Sequence, residues 1–159
     1  MTIRRFTEAD APAVSALIIH TMRVSNTRDY SVADMEALIR TQRPEDILRR
    51  AGWTHFYVAV EGDAIIGCGA IGPYRGSDAE SCLFSIFVHP DWQGRGTGRR
   101  IVEALEADEY ALRARRIEIP ASITGLPFYL KLGYTYKDGN DQLDGERLYR
   151  LEKFRRTPT

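Results

Sequence analysis

Cysteine and histidine are scarce in this chain. Its 159 residues include two cysteines, Cys68 and Cys82, and three histidines. So few cysteines exclude a disulfide framework, and neither stands at zinc-ligand spacing from the other or from a histidine. The sequence therefore predicts no metal site and two cysteines that pack as small core residues, as is usual in the reducing cytoplasm.

An excess of either charge is also missing. The 22 lysine and arginine side chains equal the 22 aspartate and glutamate side chains in number, so the formal net charge is zero. Such a balance provides no broad positive surface for a nucleic-acid backbone or an anionic membrane. We expect neither nucleic acid nor membrane as a partner, although a small anion site is compatible with this balance.

Long hydrophobic runs are absent as well. No stretch approaches the roughly 18 apolar residues of a membrane span. Residues 1–6 lead directly into the polar segment 7–10, without the apolar centre of a signal peptide. These absences predict a cytoplasmic location.

The apolar content that is present suits one folded domain. Hydrophobic residues make up 43% of the chain and charged residues 28%, which is typical of a globular protein. A length of 159 residues favours one core over two. We predict a single domain over residues 1–154 and a polar tail over residues 155–159.

Hydrophobic periodicity alternates along the chain between that of strands and that of helices. The order indicates an α/β (α+β) fold, with the apolar segment 80–89 near the centre of the sheet. The predicted strands are 2–6, 53–60, 64–74, 80–89, 116–119, 134–136 and 147–151, and the predicted helices are 7–22, 31–42, 44–50, 99–112 and 126–132.

The most informative segment is Gln93-Gly-Arg-Gly-Thr-Gly98, between the fourth predicted strand and an amphipathic helix. Its glycines let successive backbone N–H groups face one point, and the helix adds the positive end of its dipole. Arg95, Arg99 and Arg100 add positive charge. The glycine spacing fits neither the ATP-binding nor the dinucleotide-binding motif. We predict a site of pyrophosphate size; the alternative is a flexible loop before an ordinary helix.

A second motif, Phe128-Tyr-Leu-Lys-Leu-Gly-Tyr134, follows further along the chain. Together the two segments resemble the acetyl-CoA signature Gln/Arg-x-x-Gly-x-Gly/Ala and the Phe-Tyr-x-Lys-x-Gly-Phe segment of GCN5-related N-acetyltransferases, the GNAT family. The likeness covers residues 2–154. It implies a single GNAT-like domain with a mixed, mostly antiparallel central sheet of about seven strands flanked by helices. Strands four and five of such a sheet splay apart and form a slot for the pantetheine arm.

The resemblance also implies the residues that bind acetyl-CoA, which is expected as cosubstrate without a metal. Ile86, Phe87 and Val88 would offer strand backbone groups to the pantetheine arm. Ser122 stands where the family often has asparagine, and its hydroxyl would still bond to the cofactor. The residues implied at the pyrophosphate are Gln93, Gly94, Arg95, Gly96, Thr97, Gly98 and Arg99.

Direct acetyl transfer requires a neutral amine and benefits from a proton donor at the departing sulfur. The resemblance assigns this donor role to Tyr129, whose phenol has a reference pKa of about 10 and is protonated at neutral pH. Packing on the cofactor, or a hydrogen bond to the sulfur without proton transfer, are the alternatives. Glu118 interrupts a buried-looking strand beside the slot, and a desolvated carboxylate there suits a base; the alternative is a surface or salt-bridged strand carboxylate. The other candidate bases are Glu80, Asp78, His55 and an ordered water.

We therefore expect an enzyme, an acetyl-CoA-dependent N-acetyltransferase that acetylates a primary amine of a small molecule or peptide by direct attack in a ternary complex. Residues 26–30, between the first two helices, are expected to wall the acceptor pocket. No acidic cluster favours a polycationic acceptor. Two other interpretations stay open: a noncatalytic acyl-CoA sensor or interaction module on the same fold, and transfer of a longer acyl group or to a non-amine. A homodimer through exposed strand edges is compatible with the sequence.

Overall fold

A seven-stranded sheet with the order β1-β2-β3-β4-β5-β7-β6 lies at the centre of the computed structural model, which describes residues 1–155. The strands are β1 (Thr2–Arg5), β2 (His55–Glu61), β3 (Ala64–Pro73), β4 (Glu80–Val88), β5 (Arg116–Ala121), β6 (Thr135–Tyr136) and β7 (Tyr149–Phe154). The helices are α1 (Ala11–Ser25), α2 (Val32–Ile39), α3 (Pro44–Ala51), α4 (Thr97–Glu106), α5 (Glu109–Leu112) and α6 (Leu126–Lys131). None of the helices in this part of the chain is long and apolar enough to cross a membrane.

Strand pairing confirms the predicted fold class. Every neighbouring pair of strands is antiparallel except β4 and β5, which run parallel. β4 is the middle strand of the sheet, as its apolar run predicts. The single domain therefore has a mixed, mostly antiparallel sheet with helices on both faces.

The last strand extends further than its apolar pattern predicts. β7 pairs with the whole of β5, from Ala121 opposite Tyr149 to Arg116 opposite Phe154. Of the predicted tail, Arg155 is described, and its backbone N–H donates to the Arg115 carbonyl at 2.7 Å. Residues 156–159 of that predicted tail lie outside the described residues.

Two apolar layers cover the faces of the sheet. The first joins the sheet to α4, α5 and α6 and includes Ile101, Leu105, Ile117 and Ile119. Because side chains alternate along a strand, Glu118 points to the opposite face from its two isoleucine neighbours. Both cysteines are buried and free, as predicted. The second layer joins the sheet to α1, α2 and α3 and includes Val14, Ile18, Met35, Ile47, Phe56 and Val58.

Local capping signals set the starts of α2 and α3. The Ser31 hydroxyl accepts a hydrogen bond from the Asp34 N–H at 3.0 Å. The Arg43 N–H donates to the Asp46 carboxylate at 3.0 Å, and Pro44 occupies the first position of α3. Both starts agree with the predicted boundaries, since these signals act within three residues.

The prediction of one helix over residues 99–112 is wrong, because α4 and α5 are separate helices that meet at Asp108. The Asp108 carboxylate accepts hydrogen bonds from the Tyr110 N–H at 2.9 Å and from the Tyr57 hydroxyl at 2.6 Å. His55 Nδ1 lies 2.9 Å from both of its oxygens. The Asp108 carboxylate therefore caps α5 and also contacts β2, and the chain leaves the helical course of α4 just before this residue. The apolar stripe of the segment does not show that Asp108 contacts Tyr57 and His55.

Candidate active site

A cleft opens between β4 and β5 because their pairing is short. The parallel register begins with Glu80 opposite Arg116 and ends with Cys82 opposite Glu118. Beyond that point β4 pairs only with β3, up to Val88, and β5 pairs only with β7. The facing edges therefore carry backbone N–H and C=O groups without a strand partner, and an extended ligand can bind such groups.

A bulge in β4 lies beside this cleft. The register between β3 and β4 shifts by one residue, which leaves Ser85 and Ile86 opposite Gly69 alone. Ser85 has a positive φ of 52°, a conformation that costs a non-glycine residue about 1 kcal/mol or more. Its hydroxyl accepts a hydrogen bond from Arg50 Nη1 at 2.8 Å, and its carbonyl accepts one from Cys68 Sγ at 3.2 Å. Contacts from α3 and β3 thus hold the bulge, which changes the direction of the β4 backbone groups.

The segment Gln93–Gly98, called the glycine loop below, connects the end of β4 to α4. Gly94 has a φ of 74° and Gly96 a φ of 83°, and residues with side chains disfavour this left-handed conformation. Because α4 begins at Thr97, its first N–H groups have no acceptor within the helix. The loop therefore presents unpaired amides and a positive helix end at the mouth of the cleft.

Gln93 ties this loop to two other elements. Its Nε2 donates to the Val88 carbonyl and to the Ser25 hydroxyl, both at 3.0 Å. The side chain thus links the glycine loop to the end of β4 and to the end of α1. It also occupies the Val88 carbonyl, one of the backbone groups expected to bind a pantetheine arm.

Three arginines surround the glycine loop. The Arg95 guanidinium lies over the Trp92 ring, 5.0 Å from its centroid, and Arg100 Nη1 donates to the Met1 carbonyl at 3.4 Å. Within residues 1–155, no carboxylate oxygen lies within 4.0 Å of the charged groups of Arg95, Arg99 or Arg100. Their charge is therefore available to a bound anion.

The second motif packs directly against the first. A Cβ atom at Gly98 would lie 3.0 Å from the Phe128 ring, so a side chain at position 98 would push α4 and α6 apart. The Ser122 hydroxyl accepts a hydrogen bond from the Gly125 N–H at 2.9 Å, and a Cβ at Gly125 would lie 3.1 Å from both Ser122 Oγ and the Tyr129 ring. Ser122 and Tyr129 are thus neighbours on the β5 side of the cleft.

Tyr129 is a buried phenol with 8% of its surface exposed. Burial raises its pKa, and the Cys68 thiol adds a smaller effect in the same direction. A phenol with a raised pKa is protonated at neutral pH. No side-chain hydrogen bond from the described part of the chain reaches its hydroxyl, so its proton is available to a group bound beside it.

Glu118 lies on the other face of the sheet from Tyr129. It is 1% exposed. Its Oε1 is 2.8 Å from Lys137 Nζ and 3.0 Å from Arg116 Nη1, and its Oε2 is 3.8 Å from Arg150 Nη1. The burial agrees with the sequence-based expectation, and the ion pairs agree with its alternative of a salt-bridged strand carboxylate. The less occupied oxygen of this carboxylate is Oε2.

Glu118 belongs to a larger group of charged side chains, called the ionic cluster below. Glu80 forms an ion pair with Arg116, and the hydrogen bond that the Arg116 guanidinium donates to its carboxylate lowers the pKa of Glu80. Glu152 Oε1 lies 3.2 Å from Arg116 Nη1. The cluster spans β4, β5, β7 and the turn after β6. Its members are Glu80, Arg116, Glu118, Lys137, Arg150 and Glu152.

The other bases considered from the sequence differ in position. Glu80 is in the ionic cluster, and Asp78 is exposed in the turn before β4. His55 lies on β2, two strands from the cleft, where Nδ1 contacts Asp108. The described structure therefore brings neither Asp78 nor His55 to the bulge in β4.

A cavity of about 460 Å³ lies where β4 and β5 separate. Its walls include the rings of Trp53, Tyr74 and Phe84, and its charged residues are Arg75, Glu118 and Arg150. We call it the aromatic cavity. It has the size of a small-molecule site and combines apolar walls with a few charged groups.

The segment between α1 and α2 contacts the β5 side of the cleft. The Tyr30 hydroxyl accepts a hydrogen bond from the Ile123 N–H at 2.9 Å and donates to the Arg147 carbonyl at 3.2 Å. Asp29 accepts from the Thr124 hydroxyl at 2.7 Å. Since the end of α1 also contacts the glycine loop, this region of the chain spans the cleft from the β4 side to the β5 side.

A family model described as an acetyltransferase (GNAT) domain matches residues 52–136. This span is more than half of the chain, and it contains both edges of the cleft, the glycine loop and Tyr129. The chain belongs to the GNAT acetyltransferase family. No curated protein matches it.

Solved structures of GNAT proteins share the fold over nearly the whole chain. PaiA N-acetyltransferase from Thermoplasma acidophilum, in complex with coenzyme A, is 17% identical with a TM-score of 0.82 and covers 97% of this chain and 98% of its own. A GCN5-related N-acetyltransferase from Rhodopseudomonas palustris is 21% identical with a TM-score of 0.78, covering 96% and 94%. YncA from Salmonella typhimurium, with its cofactor acetyl-CoA, is 19% identical with a TM-score of 0.65, covering 100% and 98%.

In this GNAT chain the strand and loop segments predicted to bind the cofactor lie along one cleft, and the side chains of Phe87 and Glu118 point to the opposite face of the sheet from Tyr129. Two residues beside the bulge were not predicted. Ser85 could have been recognised in the sequence, because it is a hydroxyl residue within the apolar run of β4. Arg50 could not, because an arginine at the end of a polar helix face is common.

Proposed function

We propose that this GNAT chain is an acetyl-CoA-dependent N-acetyltransferase that acetylates a primary amine by direct attack in a ternary complex. The observation that carries the proposal is the unpaired edge of β4, which is followed, after one 3-10 turn at Pro90–Trp92, by the glycine loop. One continuous surface thus offers strand backbone groups and then anion-binding amides, in the order needed by a ligand with an extended arm and a pyrophosphate.

Acetyl-CoA fits the residues along this surface. The unpaired amides of the first turn of α4 and the arginines without carboxylate partners suit a pyrophosphate. Ile86 and Phe87 would hold the pantetheine arm through backbone groups, and Ser122 would contact the arm from the β5 side. When bound, acetyl-CoA would supply an acetyl group activated as a thioester. Coenzyme A or acetyl-CoA in two structures of the same fold supports this assignment.

Tyr129 is our proposed donor to the departing sulfur. Its raised pKa retains the proton on the phenol at neutral pH, so the hydroxyl can donate a hydrogen bond as negative charge develops. Its neighbour Ser122 lies on the same wall of the cleft. The low exposure of Tyr129 excludes bulk water from the hydroxyl and strengthens such a hydrogen bond.

Glu118 is our proposed acceptor for the proton of the amine. Its carboxylate lines the aromatic cavity, beside the point where β4 and β5 separate. Lys137 and Arg116 are both within 3.0 Å of its Oε1. The amine proton would therefore reach Oε2, through an ordered water on the side of Arg150.

The aromatic cavity is our proposed site for the acceptor. Its volume of about 460 Å³ suits a small molecule or the end of a peptide. Its aromatic walls favour the apolar part of an amine, and its position next to Phe84 would bring the amino group toward the bulge in β4.

The test is a panel of primary amines with acetyl-CoA, in which released coenzyme A is measured together with the acetylated product by mass spectrometry. We expect stoichiometric coenzyme A and N-acetyl product with a subset of the amines. Tight binding of coenzyme A without product from any amine would instead support a noncatalytic acyl-CoA sensor. A product of greater mass than the N-acetyl compound, from an acyl-CoA panel, would identify a longer acyl group.

A further inference from the structure

Arg50, in the last turn of α3, is a partly buried cation whose hydrogen-bond partners are all neutral. Its Nη1 donates to the Ser85 hydroxyl at 2.8 Å and to Gln42 Oε1 at 3.2 Å, and its Nη2 donates to the Thr41 carbonyl at 3.4 Å. In the described chain no carboxylate oxygen lies within 4.0 Å of this guanidinium. A cation removed from water without a counter-ion is costly, so this position favours a bound anion.

The guanidinium retains both its charge and free donors. Burial lowers the pKa of Arg50, yet an arginine remains protonated at neutral pH. Its three hydrogen bonds use three of the five N–H groups that a guanidinium carries. The remaining N–H groups have the fixed planar arrangement that carboxylates accept.

Arg50 also lines a second cavity, of about 340 Å³, which we call the arginine cavity. Its one carboxylate, Asp46, is already paired with Arg43 Nε at 3.0 Å and with Arg49 Nη1 at 3.2 Å. The cavity wall contains Arg40, Arg43, Asp46, Arg49, Arg50 and Trp53. Four arginines against one aspartate give the cavity an excess of positive charge.

The arginine cavity adjoins the proposed acceptor site. Trp53 forms a wall of both cavities, and its ring packs edge-to-face on Phe84, with centroids 5.1 Å apart. Ser85, the residue bonded to Arg50, follows Phe84 in the chain and forms the bulge. An acceptor with its amine at the bulge would therefore have Arg50, which is hydrogen-bonded to Ser85, on the side of the arginine cavity. Arg75, the other cation of the aromatic cavity without a carboxylate partner among residues 1–155, lies instead over the Tyr74 ring, 5.3 Å from its centroid.

We propose that the acceptor is an amine that also carries a carboxylate, as an amino acid does, and that Arg50 binds this carboxylate. The inference rests on the proposed N-acetyltransferase function and adds the class of substrate. Arg50 would be a specificity-determining residue that fixes the amine relative to the bulge. The same charge disfavours polycationic acceptors, since no carboxylate within residues 1–155 is close enough to neutralise it.

The first test compares matched pairs of acceptors, each an amino acid and the amine that lacks its carboxylate, such as leucine with isopentylamine and phenylalanine with phenethylamine. The readout is kcat/KM from coenzyme A release. We expect at least a tenfold preference for the acid in the pairs that react. Equal rates within the pairs, or a preference for the amine that lacks the carboxylate, would overturn the inference.

Substitution of Arg50 tests the residue itself. Arg50→Gln should raise KM for the carboxylated acceptor about 10- to 100-fold more than KM for its decarboxylated counterpart, which loses only the support that Arg50 gives to the bulge. Arg50→Lys should recover part of the preference, because the charge is kept and the planar fork is lost. Arg113→Gln, which removes an arginine that stacks on Tyr110, is the control with wild-type preference. An equal loss on both members of a pair would mean that Arg50 only supports the bulge and would contradict the proposal.

Calorimetry separates this inference from the proposed function. N-acetyl amino acids and the matching N-acetyl amines are titrated into the protein loaded with coenzyme A, and into Arg50→Gln. If the N-acetyl amino acids bind to the wild-type protein but not to Arg50→Gln, the result supports the inference. It does so even if no amine is acetylated and the proposed N-acetyltransferase function is wrong. Turnover of amines without Arg50-dependent binding of the acids would sink the inference and leave the function intact.

Discussion

The glycine loop and the ionic cluster lie at different parts of the same cleft and are built in different ways. The loop is a contiguous segment whose binding groups are backbone amides, held by two glycines with positive φ and by the start of α4. The cluster consists of six side chains that come from four separate parts of the chain. Backbone amides bind any ligand with the right anion, whereas a set of side chains can be changed to suit one substrate.

This difference suggests how a GNAT chain can keep one cofactor site and vary its acceptor. The anion-binding loop needs only glycines with a positive φ and the first turn of α4, so few residue identities are constrained there. The acceptor side depends on charges that neutralise one another, and each substitution changes the balance. The largest effects on coenzyme A binding should therefore come from the loop, and those on stability from the cluster.

The largest effect is expected from Gly96→Glu. The new side chain strains a backbone with a φ of 83° and brings a carboxylate to the proposed pyrophosphate site. We expect the affinity for coenzyme A in calorimetry to fall about 1,000-fold, or about 4 kcal/mol. Gly62→Glu is the matched control, because Gly62 also has a positive φ of 58° but lies in the β2–β3 turn. Wild-type affinity in Gly96→Glu, or equal losses in both variants, would contradict the phosphate site.

Arg116→Met should have the next largest effect, on stability. The substitution leaves the carboxylates of Glu118 and Glu152 buried with one cation fewer, and breaking a buried ion pair in this way costs about 3 kcal/mol. Urea unfolding measures the loss, and calorimetry should find coenzyme A affinity unchanged. Arg115→Met, at an exposed arginine whose guanidinium is 4.0 Å from Glu80, should change the free energy of unfolding by less than about 0.5 kcal/mol. Similar losses of unfolding free energy in the two variants would mean that the buried ion pairs of the cluster contribute no more to stability than an exposed pair.

Tyr129→Phe should separate catalysis from binding. Loss of the proposed donor should lower kcat about 30-fold, or about 2 kcal/mol, while the affinity for coenzyme A changes little. Tyr134→Phe is the control, because Tyr134 is also buried and its hydroxyl has no hydrogen-bond partner among the described residues. An unchanged kcat in Tyr129→Phe would remove this phenol as the donor.

The smallest effect is the pH dependence that Glu80 contributes. Its hydrogen bond with Arg116 lowers its pKa in the folded protein, so its stabilising effect is present above the ordinary pKa and is lost as pH falls through the lowered one. Glu80→Gln should cost about 0.5–1 kcal/mol at pH 7, since the side chain is partly exposed to solvent, and the difference from wild type should shrink at pH 3. Glu103→Gln, at an exposed carboxylate of α4, should give no such pH dependence. Urea unfolding at both pH values measures it, and a gap that widens on acidification would reverse the assigned sign.

The elements with local signals were predictable from the sequence, and those with distant partners were not. Ser31 and Pro44 mark helix starts through contacts within one turn, so both boundaries agree with the structure. The break at Asp108 depends on Tyr57 and His55, far away in the chain. An apolar stripe is compatible with one helix or with two, because it indicates which face is buried. It does not indicate that a carboxylate within the segment contacts residues of another strand.

The same division applies to the site. The glycine loop and Tyr129 belong to short motifs whose chemistry is contained in consecutive residues. Glu118 was singled out as a carboxylate in an apolar strand, and the structure adds the cations around it and its position on the face opposite Tyr129. Arg50 could not be predicted, because its proposed role depends on a contact with Ser85 and on the lack of a nearby carboxylate in the described structure, and neither is visible in the sequence.

Sequence alone determined the fold class, the order of the elements and the loop that suits a pyrophosphate, because periodicity, glycine conformation and helix starts act over a few residues. The candidate donor, Tyr129, came from the resemblance of its motif to the GNAT family. Tertiary structure decided where β4 and β5 part, which cations surround Glu118, and that Arg50 lies beside the bulge with no carboxylate of residues 1–155 within 4.0 Å. Those properties depend on which residues from distant parts of the chain lie next to one another. Such contacts are formed only when the sheet folds.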